Sequence, residues 1–227
     1  MKLFKLTDSK GYTRWGESGE TKWKKGFTLT IPSCNNPQLC SSDIIHAYTN
    51  ANLAYLLNPN HANLKDPQLW EAEGEVVVKD WGKVGCFSLT TNKKLPTPAW
   101  VKDCPQDVQI WFAVLCAEVV LNHFEDKYPK DDRPRKAIEL AKEFLKTKTD
   151  AARADAARAA SDASAAHSAA YAASDAYAAS AARDAAAYAA VYAADAAADA
   201  ASDAYAAGID FAALADKAVE LAMKEKP

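Results

Sequence analysis

The sequence predicts an α+β protein in two modules. A small mixed-β module occupies residues 1–100, and an Ala-rich antiparallel α-helical bundle occupies 101–227. Three observations predict this. Residues 151–207 contain neither Gly nor Pro, and 34 of those 57 residues are Ala. Ala loses no side-chain entropy in a helix, so this stretch is helical. Apolar alternation of period two, the mark of half-buried strands, is confined to the first hundred residues. Composition also divides the chain: all six Trp lie at or before Trp111, whereas five of the nine Tyr lie at or after Tyr171. Residues 1–149 carry 21 basic and 18 acidic side chains, and 150–227 carry 6 and 12, so the halves sit at +3 and −6.

In chain order, Lys2 to Thr7 alternates around Phe4 and opens the first module as a strand. Asp8-Ser-Lys-Gly11 is a turn, and Tyr12 to Trp15 is expected to return as its hairpin partner. Phe27 to Ile31 is β-branched and alternating. Asp43 to Tyr48 reads as a short buried strand after a loop over 33–42. Asn50 to Leu57 places Leu53, Ala54, Leu56 and Leu57 at helical spacing, and Asn58-Pro59 is expected to stop that helix. Trp70 to Lys79 and Val84 to Leu89 form a strand pair about the turn Asp80-Trp81-Gly82, and 92–98 is a linker.

Pro105 opens the second module at a first turn, where its missing N–H costs nothing. Val108 to Phe124 is apolar nearly all round, as expected of a helix buried on several sides. Asp132 is placed to cap the next helix, with Pro134 near its first position. Ile138, Ala141, Phe144 and Leu145 form one stripe there. Thr149 or Asp150 caps the Ala-rich stretch, which as one helix would run about 85 Å. Ser-Asp pairs at Ser161, Ser174 and Ser202 are expected breaks, since both side chains compete for backbone donors. Ile209 to Met223 is a final amphipathic helix through Phe211, Leu214, Val219 and Leu221.

Several function classes are disfavoured. An acidic helical half does not suit nucleic acid, whose phosphates require clustered Lys and Arg. No run reaches the roughly 18 apolar residues of a membrane span. Met1-Lys-Leu-Phe-Lys lacks the apolar core of a signal peptide, and the five Cys include no C-x-x-C pair. The expectation is a reduced, cytoplasmic protein. The four His show no metal-ligand spacing, no G-x-S-x-G elbow frames a nucleophile, and no Gly-rich phosphate loop exists. No cofactor and no metal follow from these residues.

What remains as candidate sites is sparse. His46-Ala47-Tyr48, followed by a helix and by Glu71, Glu73 and Glu75, resembles in residue type and order the layout of ADP-ribosyltransferases. There the His holds a ribose, the aromatic stacks, and a Glu acts on the ribose hydroxyl. Set against it is a strand His bonded to backbone. Arg133 and Arg135, beside Asp131 and Asp132 at a helix N-terminus, could hold an anion, or could equally be a self-contained charge cluster.

Lys130 to Phe144, K-D-D-R-P-R-K-A-I-E-L-A-K-E-F, followed by Ala-rich helices containing H-S-A-A-Y-A-A, resembles the immunity protein family of bacterial polymorphic-toxin loci. That likeness covers roughly residues 105–207. Separately, L-C-S-S-D-I-I-H-A-Y and L-L-N-P-N-H-A-N-L within residues 3–75 are similar to the front half of uncharacterised phage-encoded proteins. Neither likeness brings catalytic residues. Both imply a setting of conflict among phage, bacterium and toxin, in the host cytoplasm if the gene is phage-borne.

The first expectation is therefore a non-enzymatic immunity or anti-defence inhibitor. It would sequester either a nucleotide immune signal or a bacterial toxin or defence protein. A nucleotide would stack on Trp15, Tyr48 or Trp70 and meet Arg14, Arg133 or Arg135, with His46 beside them. A protein partner would present a basic surface to the acidic helices. The second expectation is a degenerate ADP-ribosyltransferase-like enzyme in the first module. The third is an assembly protein whose Ala-rich helices pack between subunits of a homo-oligomer.

Overall fold

A computed structural model describes residues 1–13, 20–39, 41–80, 82–159 and 209–224. Its class is α+β, with one antiparallel sheet of five strands and six helices among the described residues. Contacts divide the chain into two compact units, Met1–Val101 and Lys102–Pro227. The Ser-Asp breaks expected at Ser161, Ser174 and Ser202 fall outside the described residues, as do Arg14 and Trp15.

The first unit holds β1 (Lys2–Thr7), β2 (Phe27–Thr30), β3 (Ile45–Ala47), α1 (Ala51–His61), β4 (Gln68–Lys79) and β5 (Val84–Lys94). The order β1-β4-β5-β2 is antiparallel throughout, and β3 pairs with β5 over Val84 to Cys86. Just past β3, Tyr48 exchanges two backbone hydrogen bonds of 2.8 Å with Phe4 of β1. That bridge returns the sheet to its first strand, so β1, β4, β5 and β3 close into a small barrel. Closure satisfies edges that would otherwise stay open. Three register shifts bend β4 sharply enough for it to follow the curve. Leu3, Trp23, Ile45, Ala47, Ala72, Val84, Cys86 and Leu89 form the buried core.

Three local expectations are corrected. β1 pairs with β4 rather than with Tyr12 and Thr13, the described part of its expected hairpin partner, because its buried face needs the long bent strand opposite it; residues 14 and 15 lie outside the described residues. The turn at Asp8 to Gly11 still forms: the Asp8 carboxylate accepts the N–H of Lys10 and of Tyr12, each at 2.8 Å. Helix α1 does not stop at Pro59 but runs through it to His61. Asn58 makes this tolerable, since its carbonyl collects the N–H of Ala62 and Asn63 while its side-chain amide pairs with both backbone groups of Leu64. Strand β5 extends five residues beyond Leu89, leaving a shorter connection before α2 (Ala99–Asp103).

The second unit is built on α3 (Pro105–Lys127), which packs against α4 (Arg133–Thr147) and against α6 (Phe211–Lys224). A further helix, α5, is described over 150–159. Ion pairs Asp107–Lys148, Glu118–Lys142 and Glu125–Arg135 advance along α3 while retreating along α4, so those two helices are antiparallel. Cys104 Sγ lies 3.6 Å from Met223 Sδ, which ties the start of α3 to the end of α6 and makes that pair antiparallel too. On α6 the fully buried residues are Phe211, Ala215, Ala218 and Ala222, with Leu214, Val219 and Leu221 only half-buried beside them. The small residues take the central line because they let the helices approach closely, and the larger ones seal its flanks. Thr149 opens α5 by accepting the Ala152 N–H at 3.1 Å, and Asp210 does the same for α6 through Ala213. Among the described residues no helix is long and apolar enough to cross a membrane.

Candidate functional site

Among the described residues two polar constellations stand out, one in each unit. The first gathers at one end of the barrel. β3 alternates, so Ile45 and Ala47 are buried in the core and His46 lies half-buried on the other face. Tyr48 ends the strand, and Asn50 then caps α1 by accepting the Leu53 N–H at 2.9 Å. Because α1 runs on through Pro59 to His61, His61 comes back over Tyr48. The two rings stack at 6.0 Å between centroids, and the Tyr48 hydroxyl lies 3.3 Å from His61 Nδ1. The β4–β5 turn completes the set: the Asp80 carboxylate accepts the N–H of Gly82 at 2.7 Å and of Lys83 at 2.6 Å.

Electrostatics decide what this cluster can do. Burial, reinforced by the charges of Lys5, Lys83 and His61, pulls His46 down to about 4, with Asp80 opposing. Burial and Lys83 pull His61 down to about 4 as well. Burial and the nearby Asp80 push the Tyr48 hydroxyl far above its usual range. At neutral pH the cluster therefore holds two neutral imidazoles and a protonated phenol. An imidazole so weakly basic is a poor general base near pH 7, and this phenol is no nucleophile. The cluster is equipped to hydrogen-bond and to hold α1 against the barrel.

His46 and Tyr48 are thus brought together with His61, Asp80 and Lys83, but not with the glutamates of β4. Glu73 stands opposite Thr90 on β5, whereas His46 stands opposite Gly85. Five residues of strand separate those two positions, on the order of 16 Å. Glu71 is engaged with Lys2 at 3.0 Å and Lys93 at 3.7 Å. Trp70 is buried, and its indole N–H donates to Thr7 Oγ1 at 3.0 Å. It is a core residue and offers no free ring face for stacking.

Sequence reasoning missed Lys5. It alternates with Leu3 and Thr7 on the inward face of β1, and it is 7% exposed. Its ammonium donates to the His46 carbonyl at 2.7 Å and lies 4.9 Å from the Trp23 ring centroid. Burial drags it down to about 8, against the smaller opposing pull of Cys86 and Glu20. The available signal was the phase of K-L-F-K-L-T, which puts Lys5 on the same side as Leu3. Among the described residues no three His, Cys, Asp or Glu side chains are grouped to hold a metal ion.

The second constellation is the charge cluster before and along α4. Arg133 clasps Asp131 through Nε and Nη2 at 2.8 and 2.6 Å. Arg135 clasps Glu125 on α3 in the same bidentate way, at 2.6 and 2.5 Å. These guanidinium groups hold Asp131 and Glu125 below the ordinary carboxylate range. Asp132 occupies the cap position without a side-chain cap bond; Asp131 instead accepts the Arg133 N–H at 3.2 Å. Both guanidinium forks are therefore occupied by the protein's own carboxylates. With Lys142–Glu118 and Lys148–Asp107 they form a line of ion pairs along α3 and α4.

A family model described as "Imm-5 like putative immunity protein" matches residues 100–222. The chain belongs to this immunity protein family. No curated protein and no solved structure matches it. The family match coincides with the helical unit, and residues 1–99, including the barrel and its His–Tyr cluster, lie outside it. Membership of the family supports an immunity-type role for the chain.

Proposed function

We propose that this Imm-5 like protein is a non-enzymatic inhibitor that neutralises a bacterial toxin or defence effector protein by binding it. Borne by a phage, the same activity would be an anti-defence device acting in the host cytoplasm. The observation that carries this reading is the placement of the family match on the helical unit. That unit holds 15 basic and 21 acidic residues, a net −6. Its acidic excess suits a basic partner surface, which steers encounter and selects partners more than it adds affinity. The exposed ion pairs of α3 and α4 supply a surface of fixed charge positions against which a partner can register.

A nucleotide signal is the less supported ligand. Trp70 is spent in the core, Tyr48 is stacked on His61, and Arg133 and Arg135 are clasped by carboxylates. The test is a titration of the full chain against purified toxins of bacterial polymorphic-toxin loci, read as toxin activity and as complex formation by size-exclusion chromatography. Binding predicts inhibition complete at equimolar protein, with a complex that releases active toxin on dissociation. Complete inhibition at a hundredfold molar deficit, with no complex formed, overturns it in favour of catalysis. Protection against a cyclic dinucleotide in a thermal-shift series would shift the reading to a nucleotide sponge.

A further inference from the structure

Strand β2 pairs with β5 beyond the end of β3 and terminates the sheet path. Its phase is fixed by the Ile31 N–H donating to the Phe87 carbonyl at 2.9 Å. Bonded and non-bonded pairs alternate along an antiparallel ladder. Thr28–Thr90 and Thr30–Ser88 are therefore the close, non-bonded pairs, and their hydroxyl contacts at 2.8 and 2.9 Å agree with that phase. The N–H and C=O groups of Thr28 and Thr30 consequently point away from β5. Among the described residues no backbone hydrogen bond reaches them.

An open edge of this kind is a template for another strand. Its setting selects which strand. Thr28 and Thr30 are exposed, while Phe27, Leu29 and Ile31 lie half-buried against the barrel core. An added strand would therefore place alternate side chains beside that apolar rim. Lys22, Lys24 and Lys25, all exposed, lead directly into β2, and Lys94 is exposed near the paired end of β5. The first unit holds twelve basic and nine acidic residues. The acidic Glu73 lies on β4, two strands in from the edge, about 10 Å away. In a twofold-related second copy β2 would run antiparallel to itself and set these lysines beside residues 31–37, which contain no Asp or Glu, so a second copy supplies them no countercharge.

We propose that the outer edge of β2 docks an extended acidic segment of a partner protein, which adds to the sheet as a further strand. Apolar residues of that segment alternate with Asp or Glu, the former beside Phe27, Leu29 and Ile31, the latter among Lys22, Lys24 and Lys25. This surface lies outside the family match and does not rest on neutralisation through the helical unit.

The test uses the full chain and two fluorescein-labelled decapeptides, one alternating Glu with Val and one alternating Lys with Val, read by fluorescence anisotropy. The Glu/Val peptide is expected to bind at least tenfold more tightly, and added salt is expected to weaken it. Thr28→Pro removes an outward N–H and no backbone bond to β5, and beyond that only the exposed hydroxyl contact with Thr90, so it should abolish binding while lowering the melting temperature only slightly. Replacing Lys24 and Lys25 together by Glu should reverse the preference between the peptides. Equal binding of both peptides, or binding indifferent to Thr28→Pro, overturns the proposal. So does a dimer in light scattering that Thr28→Pro dissolves, because the edge then serves a second copy. Should Thr28→Pro misfold, hydrogen exchange on the unaltered chain decides: the Thr28 and Thr30 amides must slow when the Glu/Val peptide is added, and unchanged exchange refutes docking.

Discussion

The ammonium of Lys5 makes the stability of the first unit depend on alkaline pH in a way that one substitution removes. Its pKa falls from 10.5 to about 8 on folding because the group is fully desolvated. A lysine with a depressed folded-state pKa binds its proton more weakly in the folded than in the unfolded chain. Stability therefore rises as pH climbs from about 8 to about 10.5, and below 8 the cost of holding the charged amine is constant. Each pKa unit corresponds to 1.36 kcal/mol, so the full shift amounts to about 3 kcal/mol. Between pH 7.5 and 10 the linkage relation gives a gain of about 2 kcal/mol. The assay is urea unfolding at those two pH values, followed by tryptophan fluorescence, for the native chain and for Lys5→Met. Apart from Cys86 and His46, which feel the Lys5 charge, the other groups titrate alike in both proteins, so the difference between their slopes reports Lys5 and its immediate electrostatic neighbours. The native chain should gain about 2 kcal/mol more than the variant. At pH 7.5 the variant also loses the hydrogen bond to the His46 carbonyl and the contact with Trp23. Its stability there should consequently lie within about 2 kcal/mol of the native value, in either direction. Identical pH slopes for the two proteins would show that Lys5 is solvated and refute the reasoning.

Further expectations follow from packing and charge. Ala218 is wholly buried on the α6 line facing α3, so Ala218→Leu should cost about 1–3 kcal/mol by overpacking, read as a lowered melting temperature. Gly11 sits at φ +94°, and an added Cβ would lie 2.6 Å from the Trp23 carbonyl oxygen, so Gly11→Ala should destabilise by more than about 1 kcal/mol in urea unfolding. His46 and His61, both pulled from 6.5 to about 4, should make the melting temperature fall as pH drops from 6.5 towards 4. His61→Gln should flatten part of that fall. The Arg135–Glu125 clasp is half-exposed, so Arg135→Ala should change stability by less than about 1 kcal/mol while testing the α4 surface in toxin binding.

Period and propensity made the elements legible, while the sites depended on contacts that no local pattern encodes. K-L-F-K-L-T and F-T-L-T-I announced β1 and β2 by alternation, and the run from Val108 announced α3 by being apolar all round. Which strand lies beside which was not legible: the hairpin expected after Gly11 is replaced by pairing between β1 and β4, whose partners lie 61 to 71 residues apart in sequence. The stop expected at Pro59 also failed, because Asn58 closes the helix end through atoms of Leu64, Ala62 and Asn63, a solution invisible to a propensity rule. That continuation through Pro59 is what carries His61 onto Tyr48. The site around His46 thus follows from the exception, not the rule. Trp70 and Arg133 looked like ligand-binding side chains because exposure cannot be read from residue type. Their partners, Thr7 and Asp131, are supplied by the fold, one sixty-three residues away and one two residues away. The same argument explains Lys5. A charged residue in phase with Leu3 and Thr7 must either break the alternation or enter the core, and barrel closure through Phe4 and Tyr48 forces it inside, where its ammonium donates a hydrogen bond to the carbonyl of His46.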